Sequence, residues 1–461
     1  MGEDTICAIS TSSGNGAIAL VRISGPETFS IVSEIFHSTK KGFDLSVQQS
    51  QTLHFGEIRE GETLIDEVLV SVFKNPHTYT GEDLVEISCH GSLYIQQKIL
   101  HLLVSSGARL AMPGEFTQRA YLNGKMDLSQ AEAVADLIAS SNAAAHQIAM
   151  NQMRGGFSHE LNGLRADLLQ FISLIELELD FSEEEVEFAD RTALRKLLEK
   201  IAQVIQKLIQ SFELGNAIKN GVPVAIIGEP NVGKSTLLNA LLNEEKAIVS
   251  EIAGTTRDAI EDTFNYQGIL YRFIDTAGLR HTTDTIENLG IERTYQKIKQ
   301  AKIVLALFNA TDPEEKIQAS LQQILEKGGG QKKIILVRNK ADLTVNEGTP
   351  IKSNAIFSEV TISAKFHHSL DKLLRAISDA TQSDALEMGD VIVSNIRHLE
   401  ALKNALSSLQ RAMEGMESGV THDFLAMDIR EVIHYPAGIT GSEITTDEVL
   451  GNIFGQFCIG K

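Results

Sequence analysis

The stretch Val222–Leu242, "VPVAIIGEPNVGKSTLLNALL", decides the fold of the middle of the chain. Its apolar opening reads as a strand, and "KSTLLNALL" reads as the start of a helix. Between them "GEPNVGKST" runs from Gly228 to Thr236, and Gly228, Gly233, Lys234 and Ser235 match the phosphate-binding loop G-x-x-x-x-G-K-[ST]. Asn231, Val232 and Thr236 complete the loop. Glycines let backbone N–H groups face phosphates at the helix N-terminus, Lys234 reaches the β and γ phosphates, and the Ser235 hydroxyl takes one magnesium position. Strand, loop and helix in this order are the context that chemistry needs, which leaves the chance reading weak.

Downstream of the loop, "YRFIDTAG", "KIVLALFNA", "KKIILVRNK" and "SEVTISA" are short apolar runs separated by helical segments, the pattern of a parallel sheet with crossover helices. "NKAD" sets Asn339, Lys340 and Asp342 at the end of one such strand. An aspartate there accepts from both the ring N–H and the exocyclic amine of guanine. Adenine offers neither donor, and an unpaired buried acceptor is costly, so discrimination of about 10⁴-fold is reasonable. Ser363 and Ala364 of "SAK" fit the loop whose backbone touches the guanine oxygen. Asp275 suits the magnesium-side carboxylate and Gly278 supplies an N–H near the γ-phosphate, with Thr276 and Ala277 between them. "GTTRD" from Gly254 places Thr255 or Thr256 on the magnesium as a mobile switch. One position is discordant: many guanine-nucleotide hydrolases have a water-orienting glutamine where this chain has Leu279. Either the nucleotide is not hydrolysed or the catalytic help comes from elsewhere.

Outside this block the pattern changes. Residues 1 to about 120 mix strand-like stretches ("AIALVRIS", "IDEVLVSVF", "DLVEISCHG") with a helical run, "YIQQKILHLLVSSG", and read as an α+β domain. Phe157, Leu161, Leu164, Leu168, Ile172, Ile175 and Leu179 then mark one apolar helical stripe. "SEEEVEF" after it reads as a solvated bend. Helix returns beyond residue 382, so the α/β block is expected to be inserted into a helical domain. The expected limits are 1–122 for the N-terminal domain, 123–218 and 384–461 for the helical domain, and 219–383 for the inserted one.

The whole chain sets the remaining bounds. At 461 residues it is too long for one core, and about one domain per 150 residues points to several. No apolar run approaches the roughly 20 residues that cross a bilayer, and "MGEDTICAIS" lacks the basic stretch of a secretion signal. A cytoplasmic protein with no membrane partner is expected. Three scattered cysteines, Cys7, Cys89 and Cys458, form neither a disulfide framework nor a metal-ligand spacing. Forty-one basic against 61 acidic residues leave a net charge of −20. A nucleic-acid partner would therefore need a local basic patch.

Taken together, "GEPNVGKST", "GTTRD", "DTAGLR", "TICAISTSSGNGAIALVRISG", "YTGEDLVEISCHGS", "PGEFTQRAYLNGKMDLSQAEAVADLI" and the final "FCIGK" closely resemble the MnmE (TrmE) family of tRNA-modification GTPases over essentially the whole chain. The resemblance implies an N-terminal folate-binding and dimerising domain, a helical domain formed from two stretches, and an inserted Ras-like GTPase domain. It also implies an answer for Leu279: two G domains meet face to face and potassium takes the place of an arginine finger. Asn231 would give potassium a side-chain oxygen, Ser250 and Ile252 would give backbone carbonyls, and Thr255 belongs to the same set. A cation beside the β and γ phosphates offsets charge developing in the transition state. The loop alone leaves Asn231 open between this role and that of a turn former. Glu287 matches the family's catalytic glutamate and would orient water, although without the family it is one more exposed acid. Arg257 and Arg280 are candidate switch residues, expected to hold the loops rather than act on phosphate.

For folate, the family's pattern maps onto Arg22, Glu86, Lys125 and Lys461. Guanidinium and ammonium groups suit the glutamate tail, and a carboxylate suits the pterin edge. Ser92 departs from the family's usual second glycine in "CHGS". Cys458 stays open between a thiolate that adds to a pyrimidine and a small buried hydrophobe. The implied reaction installs an aminomethyl or carboxymethylaminomethyl group on C5 of the wobble uridine of tRNA, with carbon from 5,10-methylene- or 5-formyl-tetrahydrofolate. A flavin-dependent MnmG-like partner would bring FAD and NADH in a heterotetramer with the homodimer. The alternatives are a GTP-switched assembly factor of the ribosome-biogenesis type and a one-carbon transferase with a regulatory G domain.

Overall fold

Alternating valines shape the first part of the chain: Val68, Val70 and Val72 are buried while Glu67 before them and Leu69 between the first two are exposed, the two-residue period of a sheet with one covered face. The computed structural model describes residues 4–180, 191–244, 262–274, 298–328, 332–344, 351, 356–382, 391–418, 422–442, 447–455 and 457–460. The chain divides into two units, one made of residues 1–138, 150–202 and 401–461, the other of 139–149 and 203–400.

The first unit contains strands β1 (Ile6–Ile9), β2 (Ile18–Ser24), β3 (Phe36–Ser38), β4 (Thr52–Glu60), β5 (Thr63–Phe73), β6 (Leu84–His90) and β7 (Arg109–Leu110) in the order β3-β4-β5-β6-β2-β1-β7. All neighbours are antiparallel except β1 and β7. Helices α1 (Thr28–Ile35) and α2 (Leu93–Ser105) supply Ile31, Val32, Ile35, Ile99 and Leu103 to the core that covers one sheet face. Ser92 precedes α2 with φ −73°. An ordinary side chain fits this backbone, so the departure from glycine costs the turn nothing. Helix α3 (Glu115–Leu122) begins at Gly114, whose φ is 69°. A Cβ there would lie 2.7 Å from Phe454 O, so only glycine allows the close approach.

In the same unit the apolar stripe read from the sequence is, up to Ile175, one face of the helix Gly156–Asp180: Phe157, Leu161, Leu168, Ile172 and Ile175 are buried and Leu164 is half-buried, while the side chain of Leu179 lies outside the described residues. That helix packs against His422–Thr440.

The second unit contains β8 (Val222–Gly228), β9 (Thr263–Tyr266), β10 (Ile269–Phe273), β11 (Ile303–Asn309), β12 (Lys333–Asn339) and β13 (Ser358–Thr361), ordered β13-β12-β11-β8-β10-β9. Only β9 is antiparallel to its neighbour. Cores lie on both faces, which is why β8, β11 and β12 read as continuous apolar runs. Leu307 faces Gly228 and Asn309 faces Asn339 across the ladders, so the carboxyl ends of three strands meet, where ligands of such sheets bind. Among the described residues no helix is long and apolar enough to cross a membrane.

Candidate functional site

β8 is buried from Val222 to Ile227 apart from half-buried Pro223, and it ends where the chain turns at Gly228. A Cβ on Gly228 would lie 2.6 Å from Leu307 O, and one on Gly233 would lie 2.3 Å from Asn339 Nδ2. Gly233 also has φ +103°, so packing and backbone both demand glycine. Asn231 has φ +61°, a left-handed conformation that asparagine tolerates better than most residues. Val232 is buried in the core beneath the loop. The helix Lys234–Glu244 starts directly after Gly233, with Ser235 half-buried and Thr236 exposed on its first turn. Lys234 Nζ donates to the carbonyls of Gly228 and Glu229 at 2.8 Å.

The base-recognition residues come to the same place. Asn339, 3% exposed, donates from Nδ2 to Val232 O at 2.8 Å and accepts on Oδ1 from the Ala364 N–H at 3.0 Å. Lys340, with φ +64°, donates from Nζ to Asn231 O at 2.8 Å. Ser363 Oγ donates to Asp342 Oδ1 at 2.6 Å, which orients the carboxylate and leaves its second oxygen outside that bond. Gly228–Thr236, Asn339, Lys340, Asp342, Ser363 and Ala364 therefore form one constellation. Sequence reasoning missed the ion pair Lys316–Glu229 at 2.6 Å, which ties the loop to the helix Glu314–Gly328. Only an acid in the loop and a lysine in the next crossover hinted at it.

Ser250, Ile252, Thr255, Thr256, Arg257, Asp275, Thr276, Ala277, Gly278, Leu279, Arg280 and Glu287 lie outside the described residues, as does Lys461. Of the magnesium set this leaves Ser235, whose hydroxyl oxygen is the donor type a hard cation takes. Of the potassium set it leaves Asn231. Among the described residues no His, Cys, Asp and Glu cluster could hold a metal.

In the first unit Arg22 and Glu86 face each other across β2 and β6, with Nη2 and Nε donating to Glu86 Oε1 at 2.7 and 3.0 Å. The guanidinium lies 5.5 Å from the Tyr79 ring centre and 5.6 Å from that of Phe116. It also donates to Gly460 O at 3.4 Å, an oxygen that accepts Ser10 Oγ at 3.0 Å. The segment 457–460 thus docks beside Arg22, and Gly114 N–H donates to Cys458 O at 3.4 Å. Lys125 has its own partner, Pro76 O at 2.8 Å. Cys458 is exposed, which overturns the reading of it as a buried hydrophobe. Burial instead pushes the Cys7 thiol up to about 12 and the Cys89 thiol up to about 11.

The family described as "GTP-binding protein TrmE N-terminus" matches residues 5–125, and the one described as "MnmE helical domain" matches residues 128–458. Relatives named "tRNA modification GTPase MnmE" are 57% identical in Bacteroides thetaiotaomicron, 56% in Bacteroides fragilis and 55% in Parabacteroides distasonis. The alignments cover 100%, 100% and 99% of this chain and 100% of each relative. With its phosphate loop and base-recognition loops joined through Asn339, and with these matches over its whole length, the chain belongs to the MnmE family of tRNA modification GTPases.

Proposed function

We propose that this chain is a magnesium-dependent, potassium-activated GTPase whose hydrolysis serves modification of C5 of the wobble uridine of tRNA. The observation that carries the guanine reading is the Asp342 carboxylate oriented by Ser363 beside a phosphate loop held by Asn339. Lys234, Ser235 and the loop N–H groups bind phosphate and magnesium, with Thr256 and Asp275 on the metal side. Asn231, Ser250, Ile252 and Thr255 hold potassium, and Glu287 orients water, which removes the need for a glutamine at Leu279. Potassium supplies transition-state charge neutralisation when two G domains of a homodimer meet.

The further parts of this reading are a folate site at Arg22, Glu86, Lys125 and Lys461, a chemical role for Cys458, and a cytoplasmic MnmG-like flavoprotein partner that brings FAD and NADH. The carbon comes from 5,10-methylene- or 5-formyl-tetrahydrofolate. Domain limits at 1–122, 123–218, 219–383 and 384–461 belong to the same proposal.

The deciding experiment replaces potassium by sodium in a GTP-turnover assay. Turnover is expected to fall at least about tenfold, a transition-state loss of about 1.4 kcal/mol, and Asn231→Ala should erase the difference between the salts. Sizing with GDP and aluminium fluoride should show G-domain pairing in potassium alone. Equal rates in both salts would overturn the potassium reading.

A further inference from the structure

The net charge of −20 sets a condition on contact with RNA, because phosphodiester binding needs a local reversal of sign. The second unit carries one. A cavity of about 780 Å³ is lined by Arg272, Lys299, Lys302 and Lys332, with Glu213 as its one carboxylate and Phe212 as its one aromatic ring among the described residues. It lies at the end of the sheet opposite the phosphate loop. Arg272 sits beside Pro223 at the start of β8, and Lys302 and Lys332 immediately precede β11 and β12. The seven residues of β8 hold the two ends roughly 20 Å apart, at about 3.3 Å per residue.

These cations have different duties. Lys332 Nζ donates to the carbonyls of Ile298, Lys299 and Ala301, so it closes off backbone oxygens, of which that of Ile298 also accepts the Ala301 N–H, and its removal would cost this cluster its shared donor. Lys299 is exposed and Lys302 half-buried, so their charges can be removed without opening a core. The volume falls within the several hundred Å³ that a ligand of nucleotide size needs. Phe212, half-buried on the wall, offers an apolar face of the kind on which bases or sugars stack beside cations. A lone phosphate would need neither that ring nor that room.

We propose that this cavity binds the phosphodiester backbone of an RNA strand, namely the tRNA that the reading above assigns as substrate, on which this inference rests. The contact lies on the G-domain unit but away from the nucleotide. None of its lining residues belongs to the phosphate loop or the base-recognition loops, so basal GTP hydrolysis stays unchanged when it is altered.

The test measures binding of unmodified tRNA by the full-length protein between 50 and 200 mM salt. Lys299→Gln with Lys302→Gln should weaken binding about tenfold at the low end and reduce the slope of log affinity against log salt by roughly 1.5, at about 0.7–0.9 per phosphate contact. Glu213→Gln should shift affinity the other way, by about two- to threefold, and a merely misfolded variant would not do that. Melting temperature and basal GTP hydrolysis serve as controls. Unchanged affinity and slope in the double variant would overturn the inference. So would sensitivity of pyrophosphate binding to these substitutions while tRNA binding stays constant, which would mark a small-anion site. Restoration of wobble-uridine modification in a deletion strain by the unaltered chain is scored separately. If it fails, the reading of function falls, and the binding data still decide the contact.

Discussion

Asn339 holds two backbone groups at once, the Val232 carbonyl and the Ala364 N–H. Asn339→Ala leaves both unpaired in a buried place, at about 1–3 kcal/mol each. If half to most of that is felt in binding, GTP affinity falls roughly 30- to 1000-fold at 1.4 kcal/mol per decade, as nucleotide titration would read it. An affinity within about threefold of the unaltered chain would show that the side chain holds nothing the nucleotide needs. "NKAD" made the residue type and the strand end legible. It gave no sign of Val232, 107 positions away, because nothing local couples the two. Arg22 and Glu86 tell the same story: unremarkable singly in the sequence, they become a pair only when β2 and β6 align.

At the scale of elements, α3 is fastened to the start of β1 and to β7 by charge. Arg119, 7% exposed, meets Asp4, Glu82 and Glu115, and Arg109 meets Asp4 and Glu115. Burial pushes the Glu115 carboxyl up, but the bond from Arg109, the Met112 N–H and both guanidinium charges outweigh it and hold it low. The bond from Arg109 likewise holds Asp4 low. A carboxyl held low in the folded state lends stability that is present above its unfolded value of 4.5 and is lost as pH falls through the folded one. Melting temperature should therefore drop steeply on acidification below that point. Glu115→Gln should start lower at neutral pH and flatten the drop, and an identical pH profile would remove Glu115 from the cause. Helical and strand periods made most elements legible, including the stripe from Phe157 to Ile175. The docking of Phe454 and Phe457 on Gly114 was not, since a glycine in "PGEF" carries no mark of what will rest on it.

At the scale of the whole molecule, the change of period at Val222 and the return of helix past residue 382 made the insertion legible. The recruitment of 139–149 to the second unit was not, because a short helical run has no period of its own. Two units with separate cores predict two calorimetric transitions. Magnesium and GDP at about a hundred times the dissociation constant should raise only the one belonging to residues 203–400, by about 2.7 kcal/mol. A single transition, moved as a whole by nucleotide, would refute separate unfolding. Because Ser10 and Arg22 share the carbonyl of Gly460, 450 positions from Ser10, order of synthesis matters. At roughly 5–20 residues per second, a nascent β1–β2 edge waits on the order of half a minute or more on the ribosome before its cover is made. Translation that stalls in that interval leaves a nucleotide-competent middle hanging from an unfinished beginning.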